Sequence, residues 1–275
     1  MDMQLKASFK KELLAFFRTK RFLTLTIVIL GISLLSPLLI VGMGSLMNSM
    51  SDIYDSVGMD ISGLTDELSS SATLGVSSQI SDVSGVGLLV FLLLINSFAG
   101  GEQKKRSIII PQSSGLDSFN YLLPKFIVYP VAVFALSLLG TVAAGVVSSL
   151  VFDVNDIFWP LAIAGGATLG VYNMFFVCLH LALGTSTGKA GMSSAVCISA
   201  SMLLSGFFSA IDATPAYNPF ALNSAAGSLV LGAEPVANIV VGIVLALAIM
   251  AGVFFLALFV QKAKRIDNSG NEILI

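Results

Sequence analysis

Charge is scarce in this chain. Only 11% of its 275 residues are Asp, Glu, Lys or Arg, against 56% that are apolar. Soluble domains carry roughly a quarter charged residues, so a folded chain of this composition has too little polar surface to face water and must face lipid. Histidine is nearly missing as well. A single one, His180, excludes the paired histidines of a membrane-embedded HExxH metalloprotease. The two cysteines, Cys178 and Cys197, lie inside apolar runs and read as packing residues, not as a disulfide or a metal pair. The net charge is −2 and no basic tract suggests nucleic acid. The N-terminal arm is charged throughout and has no small-residue cleavage site, so it does not read as a cleavable signal.

What is present is apolar length. Runs at residues 22–47, 86–101, 122–151, 158–184, 190–211 and 236–260 read as six spans, since a helix needs about 20 residues to cross a bilayer. The fold class expected is an all-α polytopic membrane protein. The second run is the shortest, and is expected to extend helically into residues 79–85. Pro124 and Pro130 are expected in the first turns of the third span, where a missing backbone donor costs least.

Charge distribution sets the orientation. All 14 Lys and Arg fall in the N-terminal arm, between Lys104 and Lys125, at Lys189, and between Lys262 and Arg265. With six spans these segments share one side. The opposite side (residues 48–85, 152–157 and 212–235) has ten Asp or Glu and no Lys or Arg. The positive-inside rule then predicts a multi-pass protein of a prokaryotic cytoplasmic membrane with both termini in the cytoplasm.

Three segments outside the spans carry patterns of their own. In residues 1–21, Leu5, Phe9, Leu13 and Phe16 recur at helical spacing among Lys6, Lys10, Lys11 and Arg18. That predicts an amphipathic helix at the cytoplasmic interface, its cations toward anionic lipid. In the external loop 48–85, Ile53, Val57, Ile61, Leu64 and Leu68 project within roughly 80° at 100° per residue, which predicts an external amphipathic helix despite Gly58 and Gly63. Residues 212–235 are apolar but broken by Pro215, Pro219 and Pro235. They predict a short re-entrant or interfacial hairpin whose backbone is buried in protein. Residues 262–275 read as a cytoplasmic tail.

The stretch GTSTGKAG at residues 184–191 superficially matches a phosphate-binding loop. The true motif needs four residues between its glycines and Ser or Thr after the Lys, whereas here three intervene and Ala190 follows. It reads as a turn between the fourth and fifth spans, and the chain carries no nucleotide-binding motif.

Between the second and third spans the chain reads NSFAGGEQKKRSIIIPQSSGLDSF. This resembles the type-2 permeases of ATP-binding-cassette (ABC) transporters. There the second span ends in an Asn/Ala-rich turn followed by Glu-x-x-x-Gly-Thr, and a Gly-Lys later enters the third span. Glu102 matches the Glu, Ser107 the Thr, and Lys125 the Lys. Arg106 stands in place of Gly, Gly115 of Pro, Ser118 of Arg, and Pro124 of Gly. An N-terminal interfacial helix, six spans and the YNPF before the last span also look like that family. The resemblance implies that the polar segment is a coupling helix docking on a separate ATPase. Glu102, Gln103, Lys104, Lys105, Arg106 and Ser107 would supply polar contacts, and Ile108, Ile109 and Ile110 apolar ones. It further implies two cytoplasmic ATPase subunits, which hold the ATP and Mg, and a second permease subunit, identical or related. No cofactor is expected in this chain.

The expected cargo is apolar or amphipathic (lipid-like, peptide or drug), because apart from Lys125 at the start of the third, the expected spans carry no charge to meet an ion. Asn96, Asn173, Phe176, His180, Phe207 and Phe208 are the candidate pathway residues. For His180, Asn96 and Asn173 the simpler role is a hydrogen bond between helices. Two alternatives come from other classes. An ion-coupled secondary transporter would carry acids within its spans and repeat symmetry; no acid falls within the six runs above. A non-transporting immunity or sensor component of the membrane is the other.

Overall fold

A computed structural model describes residues 3–50, 71–102, 116–152, 156–210 and 217–271, with side chains beyond 263 and at 209–210 left aside. Among the described residues the chain is all-helical: α1 (Met3–Arg18), α2 (Arg21–Ser49), α3 (Ala72–Gly101), α4 (Ser118–Val151), α5 (Trp159–Thr187), α6 (Ala190–Ala210), α7 (Leu222–Val230) and α8 (Val236–Asn271). Six of them, α2 to α6 and α8, are long and apolar enough to cross a membrane. The external amphipathic stripe, Ile53 to Leu68, lies outside the described residues.

α5 is the hub, packed against α4, α8, α7 and α6. In its most apolar window 72% is buried, against 28% in α2 and 22% in each of α6 and α8. Close approach explains this centrality. A Cβ on Gly166 would stand 2.9 Å from the Thr141 side chain on α4, and one on Gly184 would stand 2.7 Å from Ala99 on α3. Small residues let helix backbones approach in lipid, where dispersion contacts must replace the hydrophobic drive. Polar side chains in the interior pair across helices: Thr141 Oγ1 donates to Gln79 Oε1 at 3.2 Å, and Asn173 Nδ2 to Ser137 Oγ at 2.9 Å.

Two boundaries correct the sequence reading. The second apolar helix begins at Ala72: the extension expected over residues 79–85 is present and continues seven residues further, so the external loop loses residues 72–85 to helix. Its start is held from outside the helix. Asp156, in the connection before α5, accepts from Ser71 Oγ at 2.8 Å and from the backbone N–H of Thr73 at 3.0 Å, doing the work of an N-cap. These bonds hold the Asp156 carboxyl below its ordinary range against the opposing effect of its partial burial. The extension also carries an acid into the spanning helix. Asp82 lies about 15 Å along α3 from Ala72 at 1.5 Å per residue, and its Oδ2 accepts from Ser36 Oγ at 2.6 Å. Asp82 therefore lies within a helix long and apolar enough to cross a membrane, where the sequence reading placed no acid.

The third span starts at Ser118, capped by Asp117 Oδ1 at 2.8 Å from the Ser118 N–H. Pro124 and Pro130 accordingly fall inside α4 and not in its first turn. α3 contains two π-helical turns, Val83–Gly87 and Ser97–Gly101, of the kind that cluster at functional sites. The second of these sits where the candidate site is built.

Candidate functional site: a buried ion cluster at the basic end

The described Lys and Arg side chains gather at one end of the helices, here the basic end. On α1, Glu12 is the single acid between Met3 and Phe22. It stands three residues after Phe9 and four before Phe16, so it shares the stripe that packs inward. Phe16 is buried against Phe22 and Tyr129, with ring centroids 5.6 and 5.5 Å away. Burying that stripe carries Glu12 under the spans, where it is 2% exposed.

Lys125 receives it. This α4 side chain is fully buried, and its Nζ lies 3.3 Å from Glu12 Oε1, 3.0 Å from Glu102 Oε2 and 3.1 Å from the Phe98 carbonyl of the second π turn. Lys11 closes the ring from the outside, 2.8 Å from Glu102 Oε1 and 3.5 Å from Glu12 Oε1. The tyrosines of α4 finish it. Tyr129 OH donates to Glu12 Oε2 at 2.6 Å, and Tyr121 OH to Glu102 Oε2 at 2.9 Å. Two carboxylates, two ammonium groups and two phenols thus satisfy one another.

Electrostatics favour the charged forms of Glu102 and Lys11. Burial by itself would raise the Glu102 pKa, but the Lys125 and Lys11 ammonium groups outweigh it and hold the carboxyl at about 2. Burial pushes Lys11 the other way, and its bonds to Glu102 and Glu12 leave it above its ordinary value. A buried pair of this kind adds little net stability over an apolar packing, yet removing one partner strands a charge and costs roughly 3–5 kcal/mol. The arrangement therefore acts as a latch. It ties α1, the end of α3 and the start of α4 into one body, at the two ends of residues 103–115.

Arg21 makes a second tie nearby. Its Nη1 donates to the Leu94 carbonyl at 3.1 Å and to Ser97 Oγ, and the guanidinium lies 4.7 Å from the Phe98 ring centroid. Phe98 also stacks on Tyr129 at 4.6 Å.

Of the residues singled out from the sequence, Glu102 and Lys125 come together here. Gln103, Lys104, Lys105, Arg106, Ser107, Ile108, Ile109 and Ile110 lie outside the described residues. Of the stripe on α1, Phe16 is buried, Leu5 and Phe9 are half-buried, and Leu13 is 43% exposed. Of the pathway candidates, Phe176 and Phe208 both meet the Phe220 ring, with centroids 6.1 and 6.3 Å away, and Phe207 lies against Phe208 at 5.5 Å. Asn173 and Phe176 are buried in helix packing, and His180 Nδ1 lies 2.8 Å from Ser193 Oγ. Phe208 stacks on Phe220, Phe207 is exposed, and Asn96 is half-buried near the basic end. Glu12, Lys11, Tyr121 and Tyr129 escaped sequence reasoning. The available signal was an acid interrupting an otherwise apolar inward stripe. Comparison of this chain with known families, with curated proteins and with solved structures found no match.

Proposed function

We propose that this chain is the membrane-spanning permease subunit of an ATP-driven exporter of the ABC type-2 kind, moving an apolar or amphipathic substrate out of the cytoplasm. The observation that carries the reading is the 3.0 Å contact between Glu102 and Lys125, the two residues at which the sequence resembles that family. A resemblance of spacing alone has no reason to select two residues that meet in space. In this reading the basic end faces the cytoplasm. The connection at residues 102–121 is the coupling loop for two partner ATPases, which bind the ATP and Mg, and α1 is the interfacial helix. Closure of the ATPase dimer pulls on that segment, and the latch carries the movement into α1 and α4 together, biasing the spans between two packings. Residues 212–235 are the re-entrant hairpin, a role supported by the burial of Leu222, Ala226 and Leu229. The sparsely buried α2, α6 and α8 leave apolar faces for lipid and for a second permease subunit.

The test is purification of the tagged chain from its native membrane, followed by ATP turnover in proteoliposomes. A co-purifying ATPase whose turnover falls about ten-fold or more with Glu102→Gln, an effect of about 1.4 kcal/mol, supports the proposal. Absence of any ATPase, or turnover indifferent to Glu102, overturns it.

Asp82 favours one other reading, an ion-coupled secondary transporter, because an ionisable side chain within a spanning helix commonly marks an ion path. Asp82→Asn would then abolish uptake driven by an ion gradient with no ATP present. The exporter reading expects no such uptake in the unaltered protein.

A further inference from the structure

The turn between α5 and α6, set aside above as a false phosphate loop, borders a cavity of about 730 Å³. Gly188 adopts φ 69°, a left-handed conformation that closes α5 and brings the start of α6 against α3. The approach is close. A Cβ on Gly100 would stand 2.8 Å from the Gly184 carbonyl and 3.1 Å from the Ala190 nitrogen. Arg21, Asn96, Ser97, Lys189 and Gly191 are among the residues that line the space left between these elements.

The lining carries two cations, one at the start of α2 and one in the turn before α6, and no carboxylate. Arg21 is pre-positioned: among the described residues its contacts to Leu94 and Ser97 both use Nη1, which leaves the donors of the other nitrogens of the fork for a ligand. Lys189 is exposed and makes no ion pair among the described residues. Beside it the first N–H groups of α6, at Ala190 and Gly191, have no carbonyl one turn back to bond. Asn96 contributes an Oδ1 that is buried and has no hydrogen-bond partner among the described residues, an acceptor suited to a ligand hydroxyl. Leu93, 52% exposed, opens the same space toward the lipid side of α3.

We propose that this cavity binds a phosphate ester, its charge met by Arg21 and Lys189 and by the start of α6, with Asn96 accepting from a hydroxyl of the same molecule. Basic pockets between spanning helices commonly take lipid headgroups. A free phosphate ester presents the same chemistry, so the source is decided by experiment. The inference stands apart from the transport reading, since it requires neither an ATPase nor a cargo.

Gly191 supplies the test. A Cβ there meets nothing within 4 Å, so side chains fit without disturbing the packing. An acidic residue in a first helical turn also favours the helix, so lost binding by Gly191→Asp is not lost folding, and Gly191→Asn is its uncharged counterpart. The full chain is placed in nanodiscs of phosphatidylcholine with and without phosphatidylglycerol, and retained lipid is counted by native mass spectrometry. Unfolding midpoints are followed in pure phosphatidylcholine as glycerol 3-phosphate is added. Retained phosphatidylglycerol that falls roughly five- to ten-fold in Gly191→Asp and Lys189→Gln, about one cation's share, but holds in Gly191→Asn, supports a lipid headgroup. The same order of variants in the glycerol 3-phosphate titration alone supports a soluble ester. Equal behaviour of Gly191→Asp and the unaltered protein in both arms overturns the site.

Discussion

Lys125 Nζ, two turns into α4, lies between the carboxylates of Glu12 and Glu102 at 3.3 and 3.0 Å, with no exposure to solvent. Its replacement by Met leaves two carboxylates facing one ammonium. We expect Lys125→Met to lower the unfolding free energy in detergent by about 3–5 kcal/mol. Adding Glu12→Gln removes one of the stranded charges, so the double variant should regain a substantial part of that loss. Strictly additive losses would mean that Glu12 and Lys125 do not share a charge balance.

The latch has a defined pH range. Glu102 falls from 4.5 to about 2 on folding, so its contribution is complete above pH 4.5 and disappears as pH falls toward 2. Lys11 is raised from 10.5, so its contribution is complete below pH 10.5 and disappears as pH rises through the folded value. Stability against pH should be flat in this respect between about 5 and 10, with an acid limb that Glu102→Gln reduces. An unchanged acid limb in that variant would place the titration elsewhere.

Packing at the hub should be intolerant where the backbones touch. Gly166→Val must move Thr141, now 2.9 Å from the position of the new Cβ, and we expect a loss of about 1–3 kcal/mol or failure to fold. Gly31→Ala and Gly42→Ala in α2 meet nothing within 4 Å and should be neutral or stabilising by up to about 1 kcal/mol. Thermal unfolding in one detergent compares all three.

Orientation is checked by labelling. Ala233→Cys, in the exposed turn after α7, should react with an impermeant maleimide on intact cells. Thr187→Cys, exposed at the end of α5, should react only after permeabilisation. The native Cys178 and Cys197 are buried and give little background. Equal labelling of both sites on intact cells would overturn the arrangement of ends.

Asp156 should behave as a cap supplied from outside its helix. Asp156→Ala deprives Ser71 and the Thr73 N–H of their acceptor and should cost about 0.5–2 kcal/mol. Asp156→Asn keeps one acceptor and should cost less, by the same unfolding measurement.

Six helices long and apolar enough to cross a membrane, and the gathering of cations at one end, were legible in the sequence, because both are sums along the chain. Apolar length decides what lipid accepts, and Lys and Arg are counted loop by loop. Glu102 and Lys125 were legible too, through spacing that resembles a known pattern. The start of α3 was not. Helix was expected over residues 79–85 but not over 72–78, and it reaches Ala72 because Gln79 meets Thr141, Asp82 meets Ser36, and Asp156 caps the first turn. Each partner is tens of residues away. Glu12 was hidden for the same reason: on α1 alone it is an acid among lysines, and only the approach of Lys125 and Tyr129 from α4 makes its burial tolerable. Hydropathy assigns every side chain a fixed cost of leaving water, whereas that cost depends on what the side chain meets, which tertiary contact alone decides.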